Sequence, residues 1–187
     1  MSATLAPRRV MGGRTTSVAL GIGFMAVSVA VLVTRHRNPS VIVPGIIDCA
    51  ILSFLAAFDS LTLRAPNRIV YPSLLVIPAG ALLGGGQDAL DALGGGIAAF
   101  TVLALVQNFG HGAMGFGDVK VGALAGLVVG LRGVLPMLGI AFASGGVVAA
   151  AFLSLRIGHR KDSIAFTPFL AFGVVAALAS LDLYLVR

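Results

Sequence analysis

The 187-residue sequence predicts an all-α fold, a polytopic transmembrane helical bundle of about seven helices, with six to eight as the range. Three observations predict it. First, 58% of the residues are hydrophobic and 11% are charged, against about 25% charged in ordinary soluble domains. With a mean hydropathy of +1.02, the chain has too few polar groups to clothe a soluble globule. Second, apolar runs approaching the length that spans ~30 Å of hydrocarbon as helix recur along the chain. Third, the 13 Lys and Arg and 7 Asp and Glu residues fall in short islands between those runs. Basic groups of a nucleic-acid binder cluster on one face or arm, whereas such islands suit loops at an anionic membrane surface. Membrane lipid is therefore an expected partner and nucleic acid is not. One cysteine excludes a disulfide scaffold and a multi-cysteine zinc site, and the apolar content excludes disorder.

The elements follow in order. Arg8, Arg9 and Arg14 lie in or beside a basic segment, 1–16, that precedes the apolar run Ser17 to Thr34. At about 18 residues this run exceeds the usual ~7–15-residue signal core, and no small-x-small cleavage site precedes Arg35, so it reads as a first membrane helix. Arg35-His36-Arg37 separates it from Val41 to Phe58. The segment Asp59 to Arg68 leads to the short run Ile69 to Leu83, and Gly84-Gly85-Gly86 forms a turn before Ala89 to Phe109. Gly110 to Asp118 precedes Val119 to Leu131, and Gly133 to Leu155 follows; after Arg156 to Asp162 comes the last run, Phe166 to Val186.

Seven spans place nine Lys and Arg residues on one side (Arg8, Arg9, Arg14, Arg64, Arg68, Lys120, Arg156, Arg160 and Lys161) and four on the other (Arg35, Arg37, Arg132 and Arg187). The basic excess is normally cytoplasmic, which puts the N-terminus inside and the C-terminus outside. Asp59 and Asp118 then share the cytoplasmic edge, although two spans separate them.

Acidic residues in or beside membrane helices are costly and count as functional candidates. Two carboxylates brought together in a poorly solvated site do not both ionise easily, so such a pair shares a proton. The charged member takes a proton from water while the neutral member donates to a scissile carbonyl oxygen, the acid–base division by which aspartic proteases hydrolyse peptides. Around Asp118, Gly115 and Gly117 are expected to supply backbone angles closed to other residues and to let a substrate strand approach. Gly122, Gly126 and Gly130 follow at i+4 steps, a close-packing groove into which a helix carrying Asp59 is expected to fit. Pro66 ends any helical continuation after Asp59.

Asp59 with Pro66-Asn67 seven and eight residues on, then Gly115-Phe116-Gly117-Asp118-Val119-Lys120, resembles the type IV prepilin peptidase family of membrane aspartic proteases. Ile69 to Pro72 and Ile164 to Gly173 are also similar to family segments, so the resemblance runs from about Val41 to the C-terminus. It implies that 1–187 forms one membrane-embedded peptidase domain with Asp59 and Asp118 as catalytic residues. Pro66, Asn67, Gly115, Gly117 and Lys120 are its supporting motif positions. The implied substrates are prepilins and pseudopilins, whose basic leader is cut at the cytoplasmic face just before a hydrophobic helix. Ala65 departs from the usual Ile or Leu. Long bifunctional members also carry paired Cys-x-x-Cys motifs and methylate the new N-terminus; with only Cys49, this chain resembles the short, peptidase-only form.

The bland alternatives are specific. Asp59 and Asp118 also suit two helix-end carboxylates at an interface, and an acid near a helix start is favourable anyway. Lys120 suits a dyad-tuning or substrate-contacting role and, equally, a basic anchor. Asp48, 11 residues before Asp59, lies on the same helix face ~16 Å deeper, where an interhelical hydrogen bond is expected. Asn67 is expected to bond backbone locally. Asp88 and Asp91 read as loop or helix-start acids, Asp182 as interfacial, and the glycines at 94–96 as a close-packing face. His111 is alone, so no metal is proposed, and no cofactor motif is present. The rival function is an ion or proton-coupled transporter or channel using Asp48, Asp59 and Asp118, which requires acids spread through the membrane depth. A presenilin-like protease is disfavoured because no Pro-Ala-Leu segment is present.

Overall fold

The computed structural model describes residues 22–27, 29–30, 39–62, 66–82, 86–110, 114–155 and 166–180, which are helical apart from short caps and turns. Five elements organise the fold: α1 (Pro39–Thr62), α2 (Asn67–Ala81), α3 (Gly86–Phe109), α4 (Phe116–Ser154) and α5 (Thr167–Ser180). Residues 22–27 and 29–30 add helix before α1. The all-α class holds among the described residues, while the expected number of seven spans does not emerge from them. Arg8, Arg9, Arg14, Arg35 to Arg37, Arg64, Gly84, Gly85, His111, Arg156 to Asp162, Asp182 and Arg187 lie outside the described residues. The nine-to-four charge split therefore stays a sequence expectation.

Two helices are long and apolar enough to cross a bilayer, Ala89–Phe109 and Phe116–Ala151. The first coincides with the apolar run read from sequence. Large side chains point outward along the helices, Leu135 at 78% exposure, Leu75 at 76% and Val147 at 69%. Leaving such residues in water forgoes about 1.5–3 kcal/mol apiece, a loss that disappears when the surrounding medium is hydrocarbon. The chain is a membrane protein.

The longest element is two helical arms. Gly130 has φ 69° and ψ 176°, a left-handed φ that glycine adopts at no steric cost. A straight helix would hold residues 118 and 142 ~36 Å apart. Instead Asp118 bonds Thr167 at the start of α5, and Phe142 meets the adjacent Phe166 with ring centroids 5.2 Å apart. The chain doubles back at Gly130, so the runs Val119 to Leu131 and Gly133 to Leu155 are the two arms. The Asp91 carboxylate of α3 occupies the space beside Gly130 that a side chain would need, which gives this helix-start acid a packing partner at the bend.

Between apolar helices in lipid, association relies on close packing rather than on expulsion of water. The first arm of α4 supplies the centre: Val119, Val121, Leu124, Ala125, Leu127 and Val129 are buried. Its Gly122, Gly126 and Gly130 form the expected groove, and the occupant is α3. Leu103 lies on Gly122, Ala99 and Gly95 on Gly126, and Asp91 on Gly130, an antiparallel match of two i+4 rows. This corrects the expectation that the helix bearing Asp59 fills the groove. The row 91, 95, 99, 103 repeats at the same four-residue step as the groove and sets Gly95 and Ala99 against Gly126. Gly95 and Gly96 make the close contacts expected of the glycines at 94–96.

Candidate active site

Asp59 sits in the last turn of α1 on its buried stripe of Cys49, Leu52, Leu55 and Ala56, spaced at three and four residues as a helix face requires. The helix runs on to Thr62, and Pro66, in extended conformation at φ −72° and ψ 112°, caps the start of α2. Asp59 is 4% exposed, and its Oδ2 is buried without a hydrogen-bond partner among the described residues. Most buried polar atoms in native proteins are bonded, so an orphan carboxylate oxygen is an exception that function commonly explains.

Asp118 occupies the third helical position of α4. The backbone N–H of Gly115, the residue capping that helix, bonds the Asp118 carboxylate, one half of a capping box. The backbone N–H of Asp118 in turn donates to the Gly115 carbonyl at 3.0 Å. Gly115 and Gly117 do not supply unusual backbone angles: Gly117 is helical, and Gly130 is the positive-φ glycine among the described residues. A Cβ on Gly115 would meet Asp118 Oδ2 at 3.6 Å, an ordinary contact. A regular helix start already turns the Asp118 carboxylate toward the site, so no strained turn is needed.

The two aspartates come together at the first residue of α5. The Thr167 hydroxyl donates to Asp118 Oδ1 at 3.3 Å. Thr167 also bonds the Asp59 carboxylate through its backbone N–H, and its hydroxyl lies against that carboxylate too. The carboxylates are near enough to repel each other. Sequence reasoning missed Thr167. Its signal was available, because it is the lone hydrogen-bonding side chain between Ile164 and Ser180.

Lys120, one turn into α4, ties this region to α2. Its Nζ donates to Asn67 Oδ1 and to the Tyr71 hydroxyl, each at 3.0 Å, and stands 4.8 Å from the Tyr71 ring centroid and 5.2 Å from that of Phe116. Asn67 thus bonds across helices rather than to local backbone, because the four-residue step from Asn67 to Tyr71 presents both to the same amine. Tyr71 was not singled out from sequence. Lys120→Met should lower stability by about 1 kcal/mol. In a double-mutant cycle with Asn67→Ala the two losses should couple by about 0.5–1.5 kcal/mol; strictly additive losses would mean the bond is not made in the folded protein.

Asp48 is half-buried, and its carboxylate makes no hydrogen bond to another described residue, so the expected interhelical bond is not formed among them. Among the described residues no group of three or more His, Cys, Asp or Glu side chains assembles.

Residues 46–150 match the model of the type IV leader peptidase family, more than half of the chain and a range that includes Asp59 and Asp118. The chain is 30% identical over 139 residues to a prepilin leader peptidase/N-methyltransferase of Bacillus subtilis (strain 168), covering 72% of this chain and 54% of that protein. It is 30% identical over 126 residues to a protein of the same description from Xanthomonas campestris pv. campestris, covering 63% of this chain and 44% of the relative. The chain therefore spans about half the length of the curated relatives it matches. No solved structure gives a significant match.

Proposed function

Since the chain belongs to the type IV leader peptidase family, we propose that it is a membrane aspartic endopeptidase that removes the leader of prepilin-like or pseudopilin substrates. Asp59 and Asp118 carry the reaction. The observation that supports this reading most is their convergence on Thr167 from helices remote in sequence, with Asp59 Oδ2 left unbonded among the described residues.

Repulsion between the two carboxylates favours a state in which they hold one proton between them. The ionised member draws a proton from a water molecule as that water attacks the scissile carbonyl carbon. The protonated member gives its proton to the carbonyl oxygen, and collapse of the tetrahedral intermediate expels the amine with a proton from the dyad. No covalent enzyme intermediate is required. Asp59 Oδ2, buried and without a hydrogen-bond partner among the described residues, suits the oxygen that meets water or substrate.

The exposed apolar helix surfaces suit recognition of a substrate's hydrophobic helix within the bilayer, while the basic leader lies at the cytoplasmic face of a prokaryotic cytoplasmic membrane. On that side only Asp162 adds an acidic group to the dyad in the topology read from sequence, so electrostatic selection of the leader is weak. Two acids at one site, rather than acids stepped through the membrane, favour the peptidase over an ion path.

The test is incubation of the full chain in lipid with candidate prepilins and mass determination of the new N-terminus. A single cut between the basic leader and the hydrophobic helix is expected. Substrates left intact across a panel of prepilins and pseudopilins would overturn the assignment.

A further inference from the structure

Building on the peptidase reading, we propose that Thr167 is a positioning residue that sets the two carboxylates relative to each other, its hydroxyl held on Asp118 and its backbone N–H on Asp59. Neither α1 nor the first arm of α4 does this directly, because their close-packed contacts are made elsewhere.

The start of α5 frees the groups that the clamp uses. The Phe166 carbonyl accepts the first helical bonds, from Phe169 N–H at 3.0 Å and Leu170 N–H at 3.1 Å. The N–H of Thr167 is one of the opening donors with no partner inside its own helix, and it bonds Asp59. The positive end of the helix dipole favours a carboxylate at that point. The hydroxyl lies between the two carboxylates and donates to Asp118 Oδ1. Thr167 itself is 1% exposed, so neither bond competes with bulk solvent.

The clamp is anchored from behind. Gly173 of α5 packs directly on the Met137 carbonyl of the second arm of α4, and a Cβ on Gly145 would stand 3.5 Å from the Phe169 ring. The Phe142 and Phe166 rings add a contact immediately before Thr167. The position of α5 therefore follows from the α4 hairpin.

A hydroxyl suits this place better than a fixed donor does. It donates to Asp118 when that carboxylate is charged and accepts from it when it is protonated. The bond thus persists whichever way the shared proton moves during a turnover. Valine matches threonine in shape and offers neither function, while serine keeps the hydroxyl and drops the methyl group.

The experiment compares Thr167→Val and Thr167→Ser in the full chain, reconstituted in lipid. Two readouts are needed: prepilin cleavage kinetics, and the infrared carboxyl and carboxylate bands that disappear in Asp118→Asn. Thr167→Val should lower kcat about 10- to 100-fold, the loss of a hydrogen bond to a charged group, with KM nearly unchanged because the substrate does not touch it. Its Asp118 bands should shift. Thr167→Ser should keep most of kcat and the wild-type bands. Unchanged bands and full kcat in Thr167→Val, with loss in Thr167→Ser, would overturn the clamp and leave a packing role. Shifted bands in a wild-type background that cleaves no prepilin would instead sink the peptidase reading and support the clamp.

Discussion

Asp59→Asn and Asp118→Asn should each abolish leader cleavage, with a loss of at least about a thousandfold, while the protein still inserts and folds. Asparagine keeps the shape of aspartate and some of its hydrogen bonding, but it cannot exchange a proton with water or substrate. General acid–base function is commonly worth about 10²–10⁴ in rate, and in the proposed mechanism each carboxyl serves in turn as acid and base. The sign on stability should be opposite. Asp59 is buried and Asp118 lies close enough to it for the two charges to repel, and neutralising either member removes both that repulsion and a desolvation cost. Cleavage by gel or mass, set beside thermal unfolding in the same detergent, checks both halves. Processing within tenfold of wild type in either mutant would exclude the two-aspartate mechanism. An unfolded mutant protein would instead assign the carboxylates to structure.

The meeting of Asp59 and Asp118 was legible in the sequence because lipid makes acids expensive: with 7 acidic residues in 187, each requires a reason to be there. The groove of Gly122, Gly126 and Gly130 was legible for a related reason, since a four-residue step of small side chains brings backbones into contact whatever the partner is. The identity of the partner was not legible. Small residues announce closeness without specifying a neighbour, and the matching row in α3 shows only once 91, 95, 99 and 103 are set against 130, 126 and 122 in antiparallel order. Thr167 stands out in the sequence only as the lone hydroxyl of an apolar run, and what it bonds shows only once Asp59 and Asp118 lie opposite it. The bend at Gly130 was read as two apolar runs, correctly divided near Leu131, yet the residue that permits it was assigned wholly to packing; it does both.

That crossing of α3 and α4 carries the other large effect, and its sign can be tested within one helix. A Cβ on Gly126 would stand 2.6 Å from the Ala99 Cβ and 2.9 Å from the Gly95 carbonyl carbon, well inside any contact that real Cβ atoms make. Backbone and a stub of methyl cannot swing aside as a long side chain does, so the two helices have to separate. Gly126→Ala should therefore cost at least about 1–3 kcal/mol, the usual penalty of overpacking, and Gly126→Leu should leave little folded protein. Asp118 lies eight residues earlier on the same arm, ~12 Å away along the axis, so cleavage should fall with the packing. Gly139 is the internal control: it lies in the second arm of α4, and a Cβ there meets nothing within 4 Å. Replacing a helical glycine by alanine in open space gains about 0.4–1 kcal/mol, chiefly by narrowing the unfolded chain's freedom. Gly126→Ala and Gly139→Ala should thus move the unfolding temperature in opposite directions, although both make the same chemical change in one element. If both raised it, the close crossing of α3 on the first arm would not exist in the folded protein, and the position of Asp118 against Asp59 would need another support.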